Sequence, residues 1–319
     1  MRRKLLRIGI RLLGPALLVA VLLRIEDPSA LGATLRGASP LLLALAVALN
    51  SLNLHCKVLR WQALLRTRGV SYPLGRAWKA FLASVYLGML TPGRVGDVLR
   101  IQYVRRDVGM PYAEGLAVVV MDRFCDIYVL LGFVAIGVAR LATVLSGALA
   151  YVTWGGVAVV ALAPVLLFVP GLAERLMGAL YGRLTKGREP AGLHRFLVAL
   201  RAQVGRSLWW AVALTVVAFL VNYLQGWIMG RALGLSLAFL DVVSLMAIIT
   251  LLSLLPISVS GVGVRELFLA LVFPALGLRP QQGVAFGLMN FFVIYLMVTL
   301  AGAVAWQLAP PPVGDAADR

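Results

Sequence analysis

The sequence predicts an all-α polytopic membrane protein with about six full transmembrane helices, two re-entrant helical hairpins and an inverted repeat. Three observations carry that prediction. The first is composition: 61% of the 319 residues are hydrophobic, 13% are charged, and the mean hydropathy is +0.92. A soluble domain of this length carries about 45–50% apolar and about 25% charged residues. The second is the length of the apolar runs, several of which reach the roughly 20 residues a helix needs to cross about 30 Å of hydrocarbon. They do not alternate apolar with polar residues, as the strands of a barrel would. The third is the placement of Pro, Gly and charge inside two of these runs.

Plain spans are expected at Leu5–Leu23, Pro40–Leu59, Glu114–Ala139, Tyr151–Val169, Leu208–Gly230 and Gly283–Leu308. The first begins "MRRKLLRIGIRLLG", with the basic start and apolar core of a signal peptide. It lacks an A-x-A site before the charges at Arg24–Asp27, so it reads as an uncleaved helix. Lysine and arginine then assign the sides. Arg2, Arg3, Lys4, Arg7 and Arg11 hold the N-terminus in the cytoplasm, and the charge-balanced loop that follows lies outside. Residues 57–79 carry Lys57, Arg60, Arg66, Arg68, Arg76 and Lys79 without an acid, which puts them inside. Residues 171–206 are equally basic and read as one or two cytoplasmic surface helices. The chain is expected to be one integral domain of the cell membrane, residues 1–309, with a disordered tail at 310–319.

The net charge of +17 does not mark a nucleic-acid protein. The basic residues lie in short clusters between spans, where they set topology and favour anionic lipid surfaces. No soluble basic module is present to host a nucleic acid. Cys56 and Cys125 form no motif, so neither a disulfide frame nor a metal site is expected, and no cofactor is implied.

The stretch "LTPGRVGDVLR" (90–100) breaks the pattern. Its arginines, with Arg105 and Arg106, follow only about 12 apolar residues, whose helical length of roughly 18 Å is too short to cross. If both basic clusters face the cytoplasm, residues 78–106 enter the bilayer, turn at Thr91-Pro92-Gly93 and return; the alternative is an amphipathic surface helix followed by a loop. Irregular backbone at such depth is tolerated where protein buries it or a polar cavity hydrates it.

The second half echoes the first. "NSLNLHCKVLRW" (50–61) and "NYLQGWIMGRAL" (222–233) each carry two amides three apart and then an arginine. Each is followed by an apolar helix, a proline, a glycine-rich break and a helix opening with an acid. The breaks are "TPGRVGD", with Pro92, Gly93 and Gly96, and "PISVSGVGVRE", with Pro256, Gly261 and Gly263. Repeat one would span 40–139 and repeat two 207–308 in opposite orientation, as in transporters whose broken helices meet near the midplane; coincidence competes with this reading.

Helices that start inside the membrane aim unpaired N–H groups and a positive dipole end at whatever lies there, which suits a phosphate. Arg94, Arg100 and Arg265 are candidates to add guanidinium contacts. Asp97 and Glu266, in the first turns of their helices, read equally well as caps or as ligands. Asp122, Arg123 and Asp126 lie within a span, where charges are costly and point into the bundle in pairs. Arg123 either pairs with Asp97, Asp126 or Glu266 to hold hairpin to span, or lines a polar path, or does both. Asn50, Asn53, Asn222, Gln225 and Asn290 read as interhelical hydrogen-bonding residues.

Together "HCKVLRWQALLR", "LTPGRVGDVLR", "MDRFCDIYVLLG" and "LPISVSGVGVRE" resemble the flippase-like family, also called the lysylphosphatidylglycerol synthase transmembrane-region family. The matching positions are Arg60, Pro92, Gly96, Asp97, Arg100, Asp122, Arg123, Asp126, Pro256, Gly261, Gly263, Arg265 and Glu266, over roughly residues 10–308. Asp97 and Asp122 stand where the family more often has Glu, and Ser260 replaces a Gly. The resemblance implies movement of a lipid with an anionic or aminoacylated head group, or a polyprenyl-phosphate carrier, between leaflets, with membrane lipids and a lipid-modifying enzyme or glycosyltransferase as partners. No catalytic constellation is legible, so the chain is not expected to be an enzyme. A membrane-embedded transferase acting on a lipid phosphate, and a non-catalytic partner of such an enzyme, are the alternatives.

Overall fold

The computed structural model describes residues 18–23, 27–141, 191–254 and 261–310, with scattered residues between 154 and 175. Among the described residues every regular element is helical. Helix α1 (Pro28–Arg36) starts where Asp27 accepts the Ala30 N–H at 3.0 Å and Pro28 opens the first turn. Helix α2 (Pro40–Arg66) follows, also with proline in its first turn. Helix α3 (Leu74–Leu90) stops at Thr91, and the chain returns as a tight 3₁₀ segment (Pro92–Leu99) leading into α4 (Arg100–Val108). Helix α5 (Tyr112–Arg140) is 29 residues long. Beyond the partly described stretch come α6 (Ala191–Arg201), α7 (Arg206–Ala232) and α8 (Phe239–Leu254). The second break leads into α9 (Val264–Val272), then α10 (Pro280–Asn290), a π-helical turn (Phe291–Leu296) and α11 (Met297–Leu308).

Among the described residues, three stretches are long and apolar enough to cross a membrane: Pro40–Arg66, Arg206–Ala232 and Pro280–Leu308. Helix α5 has the length but carries Asp122, Arg123 and Asp126 along its middle. The chain is therefore a multi-pass membrane protein. The spans expected at Leu5–Leu23 and Tyr151–Val169 fall largely outside the described residues, as do Pro256 and most of the tail.

The reversal at Thr91 is tight because glycine permits it. A Cβ on Gly96 would lie 2.3–2.6 Å from the backbone of Leu87 and Gly88, so the return limb packs directly on α3. Thr91 Oγ1 accepts the Gly96 N–H at 2.8 Å and closes the turn. At the second break a Cβ on Gly261 would meet Ser253 Oγ at 2.1 Å, and Gly261 holds φ +76°, so this chain too folds back on the preceding helix.

Element lengths match across the two halves: 27 residues in α2 and α7, 17 and 16 in α3 and α8, and nine in α4 and α9. The 29 residues of α5 correspond to the 29 of Pro280–Leu308. Contacts match as well. Gly115 sits against Ile101 and Gly283 against Leu269, each pair 168 residues after the other. The close approach of Gly96 to Gly88 is repeated 165 residues later by Gly261 and Ser253.

The halves interlock. Helices α2 and α7 lie antiparallel, with Asn53 Nδ2 donating to Ala218 O and Gln225 Nε2 donating to Ala46 O, both at 2.6 Å. The two bonds are reciprocal, since Gln225 follows Asn53, and Ala218 follows Ala46, by 172 residues. Helix α3 packs on α11, where Gly302 admits the Leu82 carbonyl. Helix α8 packs on α5, where Gly137 lies against Ser244 and Ile248 and Arg140 reaches Asp241 at 2.8 Å. These contacts make α5 and α8 antiparallel and, at about 1.5 Å per residue, bring Leu254 roughly level with Ile127.

Two apolar clusters form the interior. One gathers α8, α9 and α10 with Leu130, Val134 and Val138 of α5; the other gathers α3 and α4 with Ala117, Met121 and Cys125 of α5. The seam between them falls between Cys125 and Leu130, where Asp126 lies.

Candidate functional site

A charged network occupies that seam, and five helical segments supply it. Asp122, Arg123 and Asp126 come from α5, Arg60 from α2, Asp97 from the 3₁₀ return limb, Arg100 from the start of α4, and Thr215 from α7. Asp122 is its centre. Its Oδ1 accepts from Arg60 Nε at 2.6 Å, and its Oδ2 accepts from Arg100 Nη2 at 2.6 Å and Arg123 Nη2 at 3.1 Å. Arg60 Nη1 also donates to Asp126 Oδ1 and, at 3.0 Å, to Thr215 Oγ1. Arg123 Nη1 lies 3.1 Å from Asp126 Oδ2 and 3.4 Å from Asp97 Oδ2.

Three guanidinium groups thus face three carboxylates, and the described network is neutral. That balance is what lets charge persist in a chain this apolar, because each ion would be prohibitive to bury alone. The Arg100 guanidinium is also covered by Trp61 and Phe81, 5.4 and 5.1 Å from the ring centres. Arg60, Arg100 and Asp122 are sealed, whereas Arg123 keeps 25% and Asp126 18% of the side chain exposed. Among the described residues, the network is therefore open at Arg123 and Asp126.

A second charged pair lies at the other break. Arg265 donates from Nε and Nη2 to Glu266 Oε1 at 2.9 and 2.6 Å, while Glu266 Oε2 accepts the Gly263 N–H at 2.6 Å. Gly263 holds φ +85°, which turns its N–H back toward Glu266 and starts α9. Arg265 is fully buried and lies 5.6 and 5.5 Å from the rings of Phe291 and Tyr295, which the π-helical turn presents. Such turns are frequent at functional sites.

Arg123 reaches Asp97 and Asp126 as the sequence anticipates, but not Glu266, which Arg265 occupies. Arg60, expected in a cytoplasmic basic cluster, is instead fully buried at the heart of the network. Its signal was its motif position in the resemblance, since charge parity with Asp97, Asp122 and Asp126 is met equally by Arg94. Asn50 donates to the Val293 carbonyl at 2.8 Å and accepts from Gln225 at 3.0 Å, and Asn290 lies 3.1 Å from Met246 Sδ. Asn222 is half-buried and sits outside this set. The return limb contains Pro92, Gly93 and Arg94, but their side chains, like Pro256, lie outside the described positions. Among the described residues no three His, Cys, Asp or Glu side chains converge as a metal cluster.

The profile of the lysylphosphatidylglycerol synthase TM region matches residues 5–302. The chain belongs to that family. The match spans both breaks and every member of the charged network. A curated relative, glycosyltransferase AglD of Haloferax volcanii, is 28% identical over 93% of this chain and 53% of its own length. This family member thus spans about half the length of the curated relative it matches. No solved structure matches it. The family makes this a membrane protein of the lysylphosphatidylglycerol synthase TM region kind.

Proposed function

We propose that the chain is a lipid flippase, in which two opposed hairpins from an inverted repeat flank a polar site and an anionic head group passes along it between leaflets. The observation that carries the reading is the Asp122-centred network: a buried, balanced set of charges from the first half, joined by Thr215 of the second and open at Arg123 and Asp126, at the seam between two apolar clusters. Asp97 ties the first hairpin to this network, and the α5–α8 register supports a second break at about the depth of Asp126. The inverted repeat draws support from the matched helix lengths and the reciprocal amide bonds of Asn53 and Gln225. Arg94, Asp97, Arg100, Arg123, Asp126, Arg265 and Glu266 are the proposed head-group and gating residues. The N-terminus is cytoplasmic in this reading, and the hairpin of residues 78–106 opens to the same side.

One observation favours a second reading. The relative that shares this region is named a glycosyltransferase, and only 53% of it is matched. The region would then serve a lipid-linked transferase, as its membrane half or as a partner protein. Leaflet exchange of labelled lipids by the purified protein in vesicles separates these. Protein-dependent exchange supports the flippase. Chemical turnover of the lipid phosphate without exchange replaces it with the transferase, and neither event leaves the partner role.

A further inference from the structure

We propose that the π-helical turn at Phe291–Leu296 is a hinge between two bodies that each hold one hairpin, and that Asn50 is the latch that keeps it in the form seen here. The proposal takes from the flippase reading only the need for the hairpins to move. The apolar stretch Pro280–Leu308 has three parts, α10, the π turn and α11. Its first part is docked on the limb after the second break. There Gly283 lies against the Leu269 backbone, Gly287 lies against Glu266, and the rings of Phe273 and Phe286 meet at 6.1 Å. Its last part is docked on the first hairpin. Gly302 admits the Leu82 carbonyl and the Tyr86 backbone of α3, Trp306 meets Tyr86 at 6.0 Å, and Tyr103 of α4 donates to Ala309 O at 2.5 Å. The apolar clusters divide at the same place, since Phe286, Met289 and Val293 belong to one and Val298 to the other. Between the two docked parts stands the π turn.

The turn is soft in itself and is held from outside. The Met297 N–H reaches back five residues to the Phe292 carbonyl, where an α-helix reaches back four, and helices bend at such turns. Phe291–Leu296 contains neither Gly nor Pro, so no local residue imposes the irregularity. Asn50 of α2 instead donates to the Val293 carbonyl at 2.8 Å. Gln225 of α7 fixes that amide by donating to its Oδ1 at 3.0 Å, and also donates to Ala46 O. Asn50, Gln225 and Val293 are all buried, and a carbonyl freed at this depth has no water to turn to. Losing Asn50 therefore favours a rearranged turn. The turn also presents Phe291 and Tyr295, with rings 6.3 Å apart, to Arg265, so its motion bears on the start of α9. The other 29-residue helix, α5, crosses the seam unbroken. The 168-residue spacing that carries Gly115 to Gly283 carries its Asp126 to Ile294. Where one half has its charges, the other has its joint.

The test is pulsed electron paramagnetic resonance on the full-length protein in lipid nanodiscs. Nitroxides are placed on cysteines replacing the exposed Leu271 of α9 and Val304 of α11, in a background lacking Cys56 and Cys125. The register of Gly283 against Leu269 sets the labels about 33 Å apart along the span. Wild type should give the distance of this structure with a minor second one. Asn50→Leu should raise the ratio of the second to the first by about three- to fifteenfold, the effect of one interhelical hydrogen bond. Deleting Ile294 leaves Phe292 and Met297 four apart, so the same pair closes an ordinary α turn with both flanks in register. That protein should give one distance, with or without Asn50→Leu. A single unchanged distance in wild type and Asn50→Leu, or a second distance that survives deletion of Ile294, would overturn the proposal. Wild type against Asn50→Leu decides the matter if the deletion fails to fold, and wild type against the deletion if Asn50→Leu does. Lipid movement is not read here, so two distances in a protein that moves no lipid would defeat the flippase reading alone. Lipid movement by a protein of one distance would defeat the hinge alone.

Discussion

Replacing Asp122 by Asn should be among the most destabilising single changes in the chain. Asp122 is fully buried and accepts three guanidinium bonds, at 2.6, 2.6 and 3.1 Å. The amide keeps the shape but removes the charge, leaving Arg60, Arg100 and Arg123 against only Asp97 and Asp126. It also presents an N–H₂ toward a guanidinium. Breaking a buried pair while leaving its partner charged costs about 3–5 kcal/mol. Asp126→Asn should cost less, because Asp126 is 18% exposed and water can replace part of what is lost. The double change Arg60→Met with Asp122→Leu should cost less than the sum of its parts, since it removes both members of one pair. SDS-driven unfolding in mixed micelles, followed by helical circular dichroism, reads all of these. An Asp122→Asn protein within about 1 kcal/mol of wild type would refute the reasoning, because a surface charge would behave that way.

Gly283→Ala should cost more than Gly115→Ala in the same assay, by part of the roughly 1–3 kcal/mol typical of overpacking. The new Cβ would meet the backbone of Leu269, its carbonyl oxygen at 2.6 Å, in the first case but only side-chain atoms of Ile101, Cγ2 at 2.5 Å, in the second, and a side chain shifts at less cost than helix backbone. Asn53→Leu should cost about 0.6–1.7 kcal/mol, as interhelical bonds in membranes do, and Gln225→Leu somewhat more. Gln225 loses its bond to Asn50 as well as its bond to Ala46, and equal or reversed costs would contradict a contribution from that additional bond. Cysteines at Arg106 and Arg188, in a background lacking Cys56 and Cys125, should both resist an impermeant thiol reagent applied outside. Labelling of either contradicts the cytoplasmic hairpin.

The membrane class was legible because composition and apolar run length report the solvent directly. The pairing of Arg123 with Asp97 and Asp126 was legible too: two acids four apart on one helix cannot face lipid, and the nearest break carries a third. Arg60 was legible as a supporting polar residue and motif position, but its place at the centre of the network was not, because counting lysine and arginine toward a side says nothing of where a guanidinium points from the last third of α2. Glu266 was one of three acids offered to Arg123 and also read as a cap; the left-handed turn at Gly263 folds its carboxylate back onto its own helix start and its neighbour Arg265, the capping arrangement. The reciprocal bonds of Asn53 and Gln225 depend on the register of α2 against α7, which no local pattern encodes. The π-helical turn at Phe291–Leu296 has neither Gly nor Pro to announce it; its Val293 carbonyl is satisfied by Asn50, a partner 243 residues away in sequence.

The most direct test of head-group passage over the Asp122 network is leaflet exchange in vesicles holding matched amounts of wild-type and Arg123→Gln protein. Labelled phosphatidylglycerol in the inner leaflet should become accessible to an external quencher with wild type. Exchange should be slower by about tenfold or more with Arg123→Gln that is inserted and folded, the loss expected for one charge-assisted contact. Equal exchange by the two proteins would contradict passage over this network.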